Sequence, residues 1–257
     1  FIMDDQKQKL KKLFTEQDFR ESENGNSEIL AQRKSLAQSF AETGNGIAVL
    51  SDYQKDISYI YSGALGKKIG LESDSIKEFS AFEEAIFKHV PYEELIERHI
   101  LELRFFQLQK TLPVCERPYY CMLNSLHFRT TNQKYIPILH QSYYLESFPN
   151  GSIWLALCLY TSFVENNKQI IREIINNKTG ETVLSDTYKQ LDKQILSERE
   201  KEVISLLAKG QSSKQIADIL NISVNTVYRH RQNILAALQV SNTAAAVDIA
   251  VRLNLIH

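Results

Sequence analysis

The chain has 257 residues, 43% of them hydrophobic and 10% aromatic, with nine Gly and five Pro, an ordinary globular composition with room for one large or two modest domains. Its 30 basic and 31 acidic residues nearly cancel, so overall charge points to neither nucleic acid nor membrane, and any such partner must be met by a local patch. Cys115, Cys121 and Cys158 lack a CxxC or Cys/His spacing and read as reduced packing residues of a cytoplasmic protein, with no metal site and no cofactor expected.

Taken in order, residues 1–43 form a helical segment: Leu10, Leu13 and Phe14, then Ile29, Leu30, Leu36 and Phe40, recur at helical spacing around a break near Asn24-Gly25-Asn26, which predicts two helices. The opening Phe1 is not a Met, so the native start is expected upstream. "GIAVLSDY" (46–53) and "ISYIYSG" (57–63) are β-rich runs around a polar tetrad and predict a hairpin. Residues 64–112 read as helices, the longest over 92–112, which Pro91 can open. "YYCMLNSLHFRTTN" (119–132), "YIPILHQSYYLES" (135–147) and "SIWLALCLYTSF" (152–163) are long, aromatic and β-branched, and predict three sequential antiparallel strands. None of these apolar runs reaches the length of a bilayer span, and no cleavage-site pattern opens the chain, so secretion and membrane insertion are not expected. Residues 166–195 read as a linker in which "IIREIINNKTGETVLSD" is either a hairpin or a connecting helix.

Two strands, a helical stretch and a three-stranded meander resemble a PAS-like sensor or dimerisation domain over residues 44–165. Consecutive strands argue against a phosphorylated receiver, which alternates strands with helices. His89, His99, His127 and His140 are spaced as lone surface or core histidines, not as haem or metal ligands, and Cys115 and Cys121 lack the surroundings of a flavin-reactive thiol. Tyr119, Tyr120, Tyr143, Tyr144 and Trp154 read as core or dimer surface. No phosphate-binding glycine loop, ligand cluster or nucleophile motif supports an enzyme.

Residues 196–257 carry the strongest signal. Ser197-x-x-Glu200 is a capping box that opens a helix with Val203, Leu206 and Leu207 on one face and a stop at Gly210. Ser212-x-x-Gln215 repeats the device for a helix that turns Ile216, Ala217 and Leu220 inward and ends at Asn221. Ser223 can cap the next helix, and short helix, tight turn and longer helix make a helix-turn-helix. With Val227 at the centre of the buried face and about 100° per residue, Val224, Ile234 and Leu238 join it, while Asn225, Arg229 and Gln232 face away with Tyr228 at the flank. Arg can donate two bonds to guanine, and Asn and Gln can pair with adenine. No acid occurs from Ser223 to Val247, as suits a helix facing phosphates. Arg231 falls on the core side, and two roles stay open for it: an ion pair with Glu200 or Glu202, or a phosphate contact.

The segments "LSEREKEVISLLAKG", "SSKQIADIL", "NIS", "NTVYRHRQNIL" and "NTAAAVDIAVRLNLI" resemble a LuxR-type DNA-binding domain over about a quarter of the chain. The resemblance implies an all-α four-helix domain at 196–257 whose third helix reads double-stranded DNA, working as a homodimer on two half-sites. It implies phosphate-contacting or helix-positioning roles for Lys214, Thr226 and His230, and base-facing roles for Tyr228, Arg229 and Gln232, beside Asn225 from the wheel, with Ser212 as a further DNA-binding residue. Tyr228 and Asn221 depart from the lysine and glycine common at those positions. The final helix, with Ala244, Ala245, Ala246 and Ala250, is expected to pack on the first and to lend part of its surface to a dimer contact. The chain is thus expected to be α+β: a PAS-like antiparallel sheet with helices that receives a small-molecule or protein signal, followed by a LuxR-type output. The rival reading is a PAS-mediated assembly protein whose DNA binding is weak or partner-dependent.

Overall fold

The computed structural model describes residues 14, 17–19, 26–71, 73–163, 170–183, 187–188, 195–238, 240, 242–252 and 255–256. They fall into two compact units, one within Lys12–Val183 and one that includes Leu184–His257. The first of the two helices expected before residue 24 lies outside the described residues, apart from Phe14, which is helical and buried.

In the first unit, helix α1 (Asn26–Gly44) buries Leu30, Ala37 and Ala41 along one stripe. The hairpin follows as β1 (Ile47–Asp52) and β2 (Ile57–Ser62). Asp52 shapes its turn: Oδ1 accepts the backbone N–H of Lys55 at 3.2 Å and the indole N–H of Trp154 at 3.2 Å. The stretch expected to be helical from 64 to 112 holds α2 (Ala64–Ile69), α3 (Glu84–Phe87) and α4 (Tyr92–Thr111), but also strand β3 (Ser75–Glu78). β3 is four residues long, pairs among the described residues only with β2 and buries none of its residues, so no hydrophobic alternation marked it. Pro91 precedes α4 as its N-cap, and Glu93 and Glu94 place negative charge at the positive end of the helix dipole.

The meander consists of β4 (Tyr120–Arg129), β5 (Tyr135–Ser147) and β6 (Ile153–Ser162). Residues 166–195 contain two strands, β7 (Arg172–Asn176) and β8 (Glu181–Thr182), and β7 pairs antiparallel with β4, so the hairpin belongs to the sheet. The sheet order is β3-β2-β1-β6-β5-β4-β7-β8. Its middle five strands, β2-β1-β6-β5-β4, have the PAS-like arrangement, with β3 added at one edge and β7-β8 at the other. The fold is α+β.

β6 explains the architecture. All residues from Ile153 to Tyr160 are buried, as in a strand covered on both faces. Leu155, Leu157 and Leu159 pack with α1 on one side, whereas Cys158 and Tyr160 join Ile47, Val49, Ile60, Leu95 and Phe128 on the other. Burying a side chain of this size stabilises by roughly 1.5–3 kcal/mol, so this central strand anchors both layers. Cys121 and Cys158 are packed as expected; Cys115, in the 3-10 turn Val114–Tyr119, is exposed and does not pack.

Candidate nucleic-acid interface

From residue 195 on, the second unit contains four helices among the described residues: α5 (Glu198–Ala208), α6 (Ser213–Leu220), α7 (Val224–Leu238) and α8 (Thr243–Arg252). Both capping boxes form. Ser197 Oγ accepts the Glu200 N–H at 3.3 Å while Glu200 accepts the Ser197 N–H at 2.9 Å, and Ser212 and Gln215 repeat these bonds at 3.3 and 2.8 Å. Asn221 ends α6 in the left-handed region, φ 52° and ψ 50°. Two residues on, Ser223 Oγ accepts the Thr226 N–H at 3.1 Å and caps α7. The turn between α6 and α7 is thus shaped by the left-handed Asn221 and the Ser223 cap.

The core is Val203 and Ile204 of α5, Ile216 and Ala217 of α6, Val227, Ile234 and Leu238 of α7, and Ala246, Ile249 and Ala250 of α8. The expected inward faces are displaced slightly: Ile204 is buried, while Leu206, Leu207, Leu220 and Val224 are half-buried. Helix α8 packs on α5 and α7, burying Ala246 and Ala250, leaving Ala245 half-buried and Ala244 exposed.

With Val227, Ile234 and Leu238 inside, α7 turns Asn225, Tyr228, Arg229 and Gln232 to solvent at the i, i+3, i+4, i+7 spacing of one face, and Tyr228 is 52% exposed. Lys214 is exposed in the first turn of α6, beside the exposed cap Ser212. Thr226 is half-buried, its hydroxyl 2.8 Å from Ser223 Oγ. His230 is half-buried, and its Nδ1 has no hydrogen-bond partner among the described residues. The structure thus brings the four outward residues of α7 onto one acid-free face, with Lys214 on the neighbouring helix.

Arg231 does not form the ion pair expected with Glu200 or Glu202. It donates to Ser213 Oγ at 2.7 Å and to Thr243 Oγ1 at 2.8 Å, tying the first residues of α6 and α8 to the middle of α7. Glu200 is engaged in its capping box and Glu202 with Arg199, so both expected acids are committed elsewhere. The reason is geometric: hydroxyls at the starts of α6 and α8 lie within hydrogen-bond reach of its guanidinium. The sequence reading missed Arg199, which also donates to the Leu220 carbonyl at 2.6 Å and closes the end of α6. Their 21-residue separation leaves no local signal.

Among the described residues no group of three or more His, Cys, Asp or Glu could hold a metal ion, and no single helix is long and apolar enough to cross a membrane.

Residues 194–250 match the family described as "Bacterial regulatory proteins, luxR family". The chain is 30% identical over 123 residues to the oxygen regulatory protein NreC of Staphylococcus aureus (strain bovine RF122 / ET3-1), covering 46% of this chain and 54% of NreC. It is 43% identical over 64 residues to the response regulator protein VraR of Staphylococcus aureus (strain Mu3 / ATCC 700698), covering 25% of this chain and 31% of VraR. The chain therefore spans about half or less of the length of these curated relatives. Among solved structures, a phage VqmA in complex with DPO is similar at 15% identity and TM-score 0.30, over 89% of this chain and 91% of that one. Escherichia coli SdiA is similar at 14% identity and TM-score 0.25, over 98% and 97%. With the family match falling on α5 to α8, and on the two capping boxes and the turn that orient α7, the carboxy-terminal unit is a LuxR-type helix-turn-helix DNA-binding domain.

Proposed function

We propose that the chain is a cytoplasmic, non-enzymatic, one-component transcription regulator that binds double-stranded DNA as a homodimer. Its domains are a helical segment 1–43, a PAS-like input 44–165, a connecting segment 166–195 and an output domain 196–257. The observation that carries the reading is the exposed, acid-free face of α7 bearing Asn225, Tyr228, Arg229 and Gln232, clamped from behind by Val227, Ile234 and Leu238. A helix presented in this way fits the major groove, where Arg229 can donate twice to guanine and Asn225 and Gln232 can pair with adenine edges. Tyr228 contributes one hydrogen bond or an apolar contact with a thymine methyl in place of a cation. Ser212, Lys214, Thr226 and His230 flank that face and serve as phosphate-contacting or helix-positioning groups. The nearly neutral chain has no long-range attraction for DNA, so binding depends on this local patch and weakens steeply with salt.

Gel retardation of the full chain with genomic fragments at moderate salt tests the reading. A sequence-selective retarded species supports it. Absence of any selective species overturns it in favour of an assembly role for the PAS-like unit.

A further inference from the structure

On the side of the sheet away from α1, a stretch across β4, β5 and β6 carries polar residues in the core. Along one rung, Asn124 of β4 lies opposite His140 of β5, and His140 lies opposite Tyr160 of β6. The next rung pairs Ser142 with Cys158, and the following one places Tyr144 opposite Ala156. Asn124, His140 and Tyr144 are each at most 1% exposed. Yet both amide atoms of Asn124, both ring nitrogens of His140, the Tyr144 hydroxyl and Arg98 Nε have no hydrogen-bond partner among the described residues. Buried polar groups are ordinarily satisfied, because desolvation without a partner is costly, and so many adjoining exceptions demand an explanation.

Their chemistry narrows what satisfies them. Arg98 and Glu102, both buried on α4, form a two-pronged ion pair, and Glu83 is hydrogen-bonded to Tyr160. The cation here is already matched, so an ionic guest would bring an uncompensated buried charge. Burial and the nearby Arg98 cation hold His140 well below its ordinary pKa, so its ring is neutral and offers one donor and one acceptor. Asn124 likewise offers both. One face of each ring is taken: His140 stacks on Tyr160 with centroids 4.6 Å apart, and Tyr144 on Phe105 at 4.7 Å. The polar edges of Asn124, His140 and Tyr144 are the groups left without a partner among the described residues.

We propose that the Asn124–His140 pair is the floor of a binding site for a small, uncharged molecule with adjacent hydrogen-bond donor and acceptor, of the carboxamide or α-hydroxycarbonyl type. The proposal rests on the reading of this unit as the regulator's input and names the chemical class that input takes. Acids, amines and purely apolar guests are excluded, the first two by charge and the third because they leave the amide and imidazole unsatisfied.

The test titrates the full chain with acetamide, hydroxyacetone, acetate and methylammonium while following the Asn124 side-chain amide and His140 imidazole resonances and the melting temperature. Acetamide and hydroxyacetone are expected to shift both sets of resonances saturably and to raise the melting temperature as they bind the folded state. Acetate and methylammonium are expected to do neither. Asn124→Leu and His140→Phe are expected to stay folded, since each removes groups without a partner, and to lose the acetamide response. No saturable shift with any probe, an equal response to acetate, or a response retained in both variants overturns the site. A failed titration with intact DNA retardation overturns the site and leaves the regulator reading standing. Lost retardation with a working titration overturns the regulator reading and leaves the site standing.

Discussion

Arg229 and Lys214 are both exposed cations, but they sit differently: Arg229 on the outer face of α7, Lys214 in the first turn of α6. A guanidinium that forks onto one guanine carries sequence information, while an ammonium beside the backbone carries none. Arg229→Ala is expected to relax the preference at one base pair at a cost of about 1–3 kcal/mol, and Lys214→Ala to weaken all sequences alike and lower the salt slope by about one. Binding isotherms on specific and scrambled duplexes at several salt concentrations separate the two; equal losses on every sequence for both variants contradict the assignment. Glu83 provides a residue-scale prediction in the other unit. Burial raises its carboxyl from 4.5 to about 7, against the opposing pull of Arg98 and of hydrogen bonds with Cys158 and Tyr160. Because the folded chain holds this proton more tightly than the unfolded one, the stabilisation is complete below about pH 4.5 and is lost as pH rises through about 7. His140 titrates with the opposite sign, so the informative quantity is the difference between the parent chain and Glu83→Gln. That difference is expected to fall between pH 5 and 7 by at most about 1.4 kcal/mol per pH unit, read from urea midpoints; a flat difference refutes it.

Elements were legible where their causes are local. The capping boxes at Ser197 and Ser212, the stops at Gly210 and Asn221 and the apolar stripe of α7 are written within a few residues of where they act, so the helix-turn-helix and its outward face followed from spacing. The five strands of the hairpin and meander were legible for the same reason: their aromatic and β-branched residues recur in local runs. What stayed hidden depends on partners far along the chain. The choice between hairpin and helix at 166–195 stayed open because β7 becomes a strand by pairing with the edge of β4, and α4 buries Glu97 where Arg172, 75 residues away, meets it. The bonds of Arg231 to Ser213 and Thr243 span 18 and 12 residues, which no periodicity reveals. Asn221 gives the element-scale prediction. At φ 52° a side chain is strained, and Asn tolerates this better than other non-glycine residues because its amide bonds locally. Asn221→Gly is expected to fold at least as stably and bind the same DNA, whereas Asn221→Ala is expected to lose about 1 kcal/mol in the denaturation of this domain. Equal stabilities for Gly and Ala would remove the conformational account of the turn.

At the scale of the whole molecule, the sequence separates a β-rich stretch from a helical one, and the described residues divide into two units, one with its boundary near Val183. One carboxy-terminal domain presents one short face of α7, which spans a few base pairs and so gives little selectivity by itself. A homodimer doubles the contacts, and its two-fold symmetry imposes a matching symmetry on the DNA. Both copies of α7 then enter the major groove from one side of the duplex, which requires half-site centres about 10–10.5 base pairs apart or a multiple of that. Footprinting of the full chain is expected to give two symmetric protected segments at this spacing, and inserting about half a helical turn between them, roughly five base pairs, is expected to abolish tight binding by rotating one half-site to the opposite side. If the insertion leaves affinity unchanged, or if protection covers one unsymmetrical segment, the protein binds as a monomer and its selectivity must come from Asn225, Tyr228, Arg229 and Gln232 of a single helix.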